Sequence, residues 1–297
     1  MTPLSDGETR PVAIDPDYAA RPGYGADFFA DGHVVALPEL GSELVDKAAA
    51  NALPTREPAY VLDYHHFSLV QNKERRLAFF TAVNIDGALS RRLRREQDRW
   101  SFDPRLPRDE QTGKEVYAQN DLDLGHLVRR LDPVWGDATE AKRANDDTFH
   151  YTNCTPQHKD FNRNKTSWAG LEDYLLEHAS NLHFKVCVFT GPVLAADDDA
   201  YRGVQLPRQF WKTVAMVKTG GQLSATAYLL SQQALIEGIR APEAFSYGAY
   251  RTYQVPVTRI EQLTGLSFGP LAQSDPLREL RSAAAVRELD RVEDVRV

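Results

Sequence analysis

The chain has 297 residues, 42% of them hydrophobic and 26% charged, with a formal net charge of −7 at pH 7. These proportions are those of a soluble globular protein and exclude a mostly disordered chain, a collagen-like chain and a coiled-coil rod; the length suits one large domain or two small ones. No apolar run approaches the ~20 residues that cross a bilayer, and two cysteines, Cys154 and Cys187, are too few for a disulfide scaffold or a Cys-rich zinc protein.

Seven of the prolines fall within residues 1–58, together with Gly23-Tyr24-Gly25 and several aspartates. This predicts an extended arm laid over a core, poor in regular structure. For residues 1–20 a loose tail is an equal alternative, whereas Phe28, Phe29, Val34, Val35 and Leu37 offer surface to bury. The first thirty residues lack a basic start followed by an apolar stretch, so the reading has no secretory signal and a cytoplasmic address by default.

Two β-rich runs, 60–70 and 77–83, flank a polar turn at 71–76 and predict a hairpin. Residues 87–99 are basic, with Arg91, Arg92, Arg94, Arg95 and Arg99. Short strands are predicted at 116–122 and 148–153, around a loop. Over 167–180, Trp168, Leu171 and Leu175 form one apolar helical face behind Ser167 as cap. Residues 185–190 read as an apolar strand closed by Gly191-Pro192. A second hairpin joins 210–218 to 222–230 through Thr219-Gly220-Gly221. A helix over 231–240 and a strand over 250–257 follow. Asp275-Pro276 starts a helix with Pro at its first position, carrying the stripe Leu277, Leu280, Ala284, Leu289 and Val292. There is no repeat at a fixed period and no strict βαβ alternation, so an α+β fold is predicted.

The informative stretch is 117–177. It holds Asp123-Leu124-Gly125-His126, then Asn153-Cys154-Thr155-Pro156-Gln157, then Asn162, Trp168 and Leu171-Glu172. A histidine behind a glycine at a strand end is accessible, and its ordinary pKa of about 6.5 suits a general base. Asn162 and Glu172 offer hard oxygen atoms, which suit Mg²⁺, Ca²⁺ or Mn²⁺ rather than zinc. Arg129, Arg130 and the arginines at 91–99 are candidates for phosphate binding. One base, one hard metal and several arginines fit phosphodiester hydrolysis. Singly, each has a plainer reading: His126 a structural histidine, Asn162 a turn or cap residue, Glu172 and the arginines solvated charges. The ordered combination shifts the weight toward chemistry. A thiol is too soft for Mg²⁺, so Cys154 and Cys187 are read as small buried residues. His65 and His66 in a strand would face opposite ways, which argues against a joint metal site. His150 and His158 are read as structural or substrate-side.

In order and spacing these residues resemble the DNA/RNA non-specific endonuclease family, the ββα-metal, endonuclease G-like nucleases. Its signature is Asp-Arg-Gly-His, then a strand ending in Asn-x-x-Pro-Gln, then an Asn, a Trp and a Leu-Glu pair. Segments 77–87, 188–193, 210–212 and 260–268 also look like family segments, so the resemblance covers residues 58–270. It implies a nuclease domain over 58–270, with the extended arm before it over 1–57 and the C-terminal helix after it over 271–297. It implies an α+β fold with a central, mainly antiparallel sheet flanked by helices. The ββα element would be a strand ending in Asp123-Leu124-Gly125-His126, a strand at 148–153 and the 167–180 helix. It also implies metal-dependent, sugar-nonspecific hydrolysis of DNA and RNA to 5′-phosphate products. By position, His126 would be the general base, with Asp123 beside it in the catalytic group. Asn162 would hold a single Mg²⁺ (or Mn²⁺), and Glu172 would hold water on that metal. Asn153 and Gln157 would support the site. Arg99 would contact phosphate, with Arg129 and Arg130 as further substrate-binding residues.

Two departures matter. Leu124 stands where the family has Arg, with Arg129 or Arg130 as its substitutes. This keeps a second reading open, a catalytically weakened relative that binds nucleic acid or acts as an interaction module. The spacing from Asn162 to Trp168 is longer than in shorter members. Counting from Pro156-Gln157 selects Asn162, and counting back from Trp168 selects Asn164; Asn162 is preferred because Phe161 would anchor the turn. The acidic net charge fits a restricted substrate better than avid coating. Implied partners are DNA and RNA, a second copy of the chain, and an inhibitor or regulatory protein, with no membrane. The 277–292 stripe suits either a second copy or the chain's own core.

Overall fold

The structure, a computed structural model, describes residues 13–29, 32–95, 97–163, 184–233, 235–236, 252–278 and 287–288. In chain order its strands are Glu39–Leu40 (β1), Val61–Asp63 (β2), Phe67–Asn72 (β3), Leu77–Asp86 (β4), Leu122–His126 (β5), Cys154–His158 (β6), Lys185–Val193 (β7), Asp199–Tyr201 (β8), Val204–Leu206 (β9), Gln209–Val217 (β10), Leu223–Ser231 (β11), Thr252–Val255 (β12), Leu266–Ser267 (β13) and Arg287–Glu288 (β14). The helices are Ser42–Val45 (α1), Ala138–Asp147 (α2), Lys159–Arg163 (α3) and Val257–Thr264 (α4).

Eight strands form one sheet in the order β14-β12-β11-β10-β7-β4-β3-β2, every neighbouring pair antiparallel. Every residue of β3 and β4 is buried, because the sheet is covered on both faces. Side chains alternate between those faces. Trp211 and Ala215 point into a core shared with Tyr24, Phe29 and Val35 of the arm and with Val257 and Ile260 of α4. Phe210 and Val214 point into a second core, with Leu127, Val128 and Phe161. The second core carries the candidate site. This is the mainly antiparallel α+β architecture that the sequence predicts. Among the described residues no helix is long and apolar enough to cross a membrane.

Several boundaries differ from expectation, each for a local reason. The 60–70 run breaks into β2 and β3 at a tight turn, where Tyr64 N donates to Phe67 O at 2.8 Å. His66 occupies the left-handed position of that turn (φ +66°) and stacks on Trp135 at 3.4 Å. The pair predicted at 116–122 and 148–153 falls instead on β5 and β6. Phe149 and Tyr151 bury their rings from a turn rather than a ladder, because Thr148 Oγ1 donates to Asn145 O and Asn153 N to His150 O. Gly191-Pro192 does not close β7. Pairing with β4 ends at Thr190, and the last stretch of β7 pairs with β10 alone. A proline's missing N–H is tolerated where one neighbour is absent.

Helix α2 is not anticipated by the sequence reading, although Asp137 caps it by accepting from Thr139 N and Glu140 N. Its buried face is Ala141, Ala144, Asn145, Asp146 and Asp147, too polar to give an apolar period. Arg287–Glu288 pair with Gln254 and Tyr253 as a strand where the stripe predicts helix, and Gly269–Ser274, which overlap the start of the 271–297 segment, form a 3₁₀ turn. The 167–180 helix, half of the 231–240 helix and the rest of the C-terminal stripe lie outside the described residues.

Candidate active site

β5 and β6 form a two-stranded antiparallel ribbon in the register Asp123↔Gln157, Leu124↔Pro156, Gly125↔Thr155 and His126↔Cys154. Both sequence motifs therefore lie side by side. Gly125 makes room for the Gln157 side chain, whose Oε1 would lie 2.2 Å from a Cβ there. Asn153, fully buried, clips the chain beyond the ribbon. Its Nδ2 donates to Val128 O and Thr148 O, both at 3.0 Å, and its Oδ1 accepts from Val128 N at 2.9 Å. Leu127 N donates to its carbonyl at 2.9 Å. Leu127 and Val128 then plug into the core under the sheet. His126 is thus held by buried neighbours on its C-terminal side.

α3 follows β6 directly. Phe161 packs on Phe210 with ring centroids 5.4 Å apart, and Asn162 lies at the edge of a concavity. Asn162 Nδ2 donates to Asp123 Oδ2 at 3.0 Å, which leaves its amide oxygen as the atom it can offer to a ligand. The concavity encloses about 600 Å³ and is walled by Arg95, Asp98, Trp100, Asp123, Leu124, His126, Arg129, Arg130, Leu131 and Asn162. Arg99 is exposed and does not line it. Trp100 turns inward, with its ring 4.7 Å from that of His126, and Arg95 takes the wall position that the sequence reading gives to Arg99. Arg95 is paired to Asp98 (Nε to Oδ1, 3.1 Å), and Arg130 donates to Leu93 O at 3.3 and 3.4 Å. Arg95 and Asp98 are the residues the motifs do not reveal; their only sequence signal is the basic run in which they sit. Glu172, Trp168, Leu171 and Asn164 lie outside the described residues.

The imidazole of His126 is enclosed by Trp100 and by Phe149, whose ring meets it edge-on at 5.3 Å. Burial pushes its pKa down to about 3; Asp98 opposes this, while Arg95, Arg130 and Arg129 add to it. The ring is therefore neutral at neutral pH and able to accept a proton. Among the described residues, His126 Nε2 and Gln157 Oε1 are buried polar atoms that meet no hydrogen-bond partner. Gln157 Nε2 donates to Thr155 Oγ1 at 3.5 Å.

The other candidates separate cleanly. Cys154 donates to Tyr151 O at 3.3 Å, and burial pushes its thiol up to about 12, so it stays protonated at neutral pH. Cys187 is buried in the sheet with its thiol at about 11. His65 bonds to Asp147 and His66 to Pro133 O and Glu140, two unrelated places. No cluster of three or more His, Cys, Asp or Glu side chains forms among the described residues. The donors that do face the concavity are oxygens of Asn162 and Asp123, with Asp98 on its wall. Such donors fit a hard divalent cation that keeps most of its water.

A profile of the DNA/RNA non-specific endonuclease family matches residues 45–275. The chain belongs to this family. It is 40% identical over 265 residues to the protein y4fB of Sinorhizobium fredii, covering 84% of this chain and 39% of that one. It is 27% identical over 182 residues to human mitochondrial endonuclease G, covering 57% of this chain and 56% of that one. To a nuclease of Nostoc it is 25% identical over 234 residues, covering 78% and 81%. The chain thus spans 39% of the length of y4fB and 56% of that of human endonuclease G. In fold it matches EndoG, solved in complex with EndoGI to show the mechanism of EndoG inhibition, with a TM-score of 0.52 at 17% identity over 70% of this chain and 84% of that one.

Proposed function

We propose that the chain is a metal-dependent endonuclease that hydrolyses phosphodiester bonds of DNA and RNA, with His126 as general base. The observation that carries this is the meeting of three groups in one concavity: a neutral, half-buried imidazole, a wall of Arg95, Arg129 and Arg130, and the Asn162–Asp123 pair. The arginines bind the phosphodiester and draw its charge toward His126. Bound phosphate offsets their field and so removes the arginines' share of the downward shift at the imidazole, the smaller share beside burial. His126 then takes a proton from the attacking water. Asp123 orients Asn162 by accepting from its Nδ2, so that Asn162 would hold Mg²⁺ or Mn²⁺ through its oxygen. When bound, that cation would supply charge stabilisation to the phosphate oxygens. Glu172 belongs to the same proposal as the acid that holds water near the cation. Products carry 5′-phosphates. Control by an inhibitor protein and assembly with a second copy complete the reading. Asn153 and Gln157 act by holding the ribbon.

Leu124 favours a second reading, a binder of nucleic acid with weakened catalysis. Leu124 lines the concavity where the family carries Arg. Arg95, Arg129 and Arg130 on the same wall favour the enzyme. Purified protein incubated with supercoiled plasmid and with RNA, with Mg²⁺, Mn²⁺ or EDTA, decides between the two. Metal-dependent cleavage that disappears in His126→Ala establishes the nuclease. Binding without cleavage under any metal establishes the second reading.

A further inference from the structure

The arm places two buried side chains where the proposed chemistry does not use them. Arg21 forms a two-pronged contact with Asp147, the last residue of α2: Nε to Oδ2 at 2.9 Å and Nη2 to Oδ1 at 2.8 Å. Their side chains are 0% and 1% exposed. His65 adds its backbone N and Nδ1 to the same Oδ2, at 3.0 and 2.8 Å. Burial would raise the Asp147 carboxyl, but His65 and Arg21 hold it well below the usual carboxylate range. Tyr18 lies under the Arg21 guanidinium at 3.7 Å, and its OH is 2.8 Å from His150 Nε2. His150 Nδ1 faces Asp147 O at 2.8 Å. A carbonyl only accepts, so Nδ1 carries the proton and Nε2 accepts from Tyr18. The arm passes this point at Gly23, whose N donates to Tyr64 O at 2.9 Å. With φ +72° and Asp63 Oδ1 2.1 Å from an added Cβ, only glycine fits there.

A buried ion pair gains little net stability, because desolvation offsets the attraction. Its effect here is geometric: it fixes the turn over 147–153. That turn is the other side of the base. Thr148 O accepts from the Asn153 amide that holds Val128. Phe149 stands edge-on to His126, and its carbonyl accepts from Ser101 N at 2.9 Å, which sets Trp100 against the same ring.

We propose that Arg21 and Tyr18 are positioning residues for the general base, acting through Asp147 and His150 on the 147–153 turn. The kinetic part of this proposal rests on the nuclease reading; the geometric part does not.

The test uses the full chain with Arg21→Lys, Tyr18→Phe and Arg21→Ala. The control is Phe29→Ala, which damages the arm's apolar contact with the sheet. Two quantities are read: kcat and KM on duplex DNA with Mg²⁺, and the ring ¹⁵N–¹H signals of His126 by NMR. Arg21→Lys is expected to lower kcat about tenfold with KM changed by less than about twofold, Tyr18→Phe to act in the same direction but less, and both to shift the His126 signals. Phe29→Ala should lower the melting temperature while kcat per folded molecule and the His126 signals stay put. If Arg21→Lys and Tyr18→Phe shift neither kcat nor His126, the pair is merely structural and the proposal fails. If the native chain cleaves nothing, the nuclease reading fails on its own, and the His126 signals alone decide: a shift supports positioning and none overturns it.

Discussion

The eight-stranded sheet and the β5–β6 ribbon are both antiparallel, yet different forces hold them. The sheet is buried on both faces by large apolar side chains, Trp211, Phe189 and Phe80 on one and Phe67, Phe210 and Leu69 on the other. The ribbon has two strands of five residues each, and an isolated pair of that size is marginal in water. It is kept in place by Asn153, by the plug of Leu127 and Val128, and by Phe161. A sheet secured by area tolerates local error; a ribbon secured by a few directional bonds transmits it to His126. Damage to the sheet should therefore appear as lost stability, and damage to the ribbon as lost activity.

The largest expected effect is that of His126→Ala, a fall in kcat of roughly 10²–10⁴-fold with little change in melting temperature; plasmid nicking beside a thermal melt reads both. An equal loss of stability would break the contrast. Trp211→Ala in the sheet should do the reverse, costing about 3–5 kcal/mol in denaturant unfolding while kcat per folded molecule is kept. Asn153→Ala lies between, since it leaves buried groups at Val128 and Thr148 without their partner. About 1–3 kcal/mol of stability and a measurable share of kcat should go together. Leu124→Arg should add one phosphate contact, steepening the salt dependence of DNA binding by about 1 in slope and raising cleavage. An unchanged slope would show that Arg95, Arg129 and Arg130 already fill that place.

Acid gives the mildest comparison. His126 and His150 are held neutral by burial, with pKa values below the ordinary 6.5. As pH falls through that value the unfolded chain binds protons that the folded chain does not, so stability declines below it. Asp103 and Asp147 are held below the usual carboxylate range, so their contribution is lost only at lower pH. All four residues flank the ribbon or its turn, and Trp100 stands beside His126 while Trp211 lies in the sheet. Fluorescence of single-tryptophan variants during acidification should change at Trp100 first; simultaneous change would show that ribbon and sheet unfold as one unit.

The hairpins around 77–86 and 209–231 were legible because their apolar runs are long and their turns polar. The candidate site was legible as ordered motifs, because Asp123, Gly125, His126, Asn153, Gln157 and Asn162 fall in order within one short stretch. Helix α2 was not, because its buried face is alanine, asparagine and aspartate, satisfied by partners such as Arg21 that lie far away in sequence. That Arg95 rather than Arg99 faces the concavity is hidden in the sequence for a related reason. A run of arginines states a charge, and only the inward turn of Trp100 decides which member faces the concavity.

Sequence by itself determined the family and the mainly antiparallel α+β class, because these rest on local residue types and short spacings. Tertiary structure decided the register that puts Asp123 opposite Gln157, the arginines that wall the concavity, and the route by which Tyr18 and Arg21 reach the turn behind His126. Each of these depends on packing between segments far apart along the chain, and no local pattern encodes which distant partner a buried polar group will find.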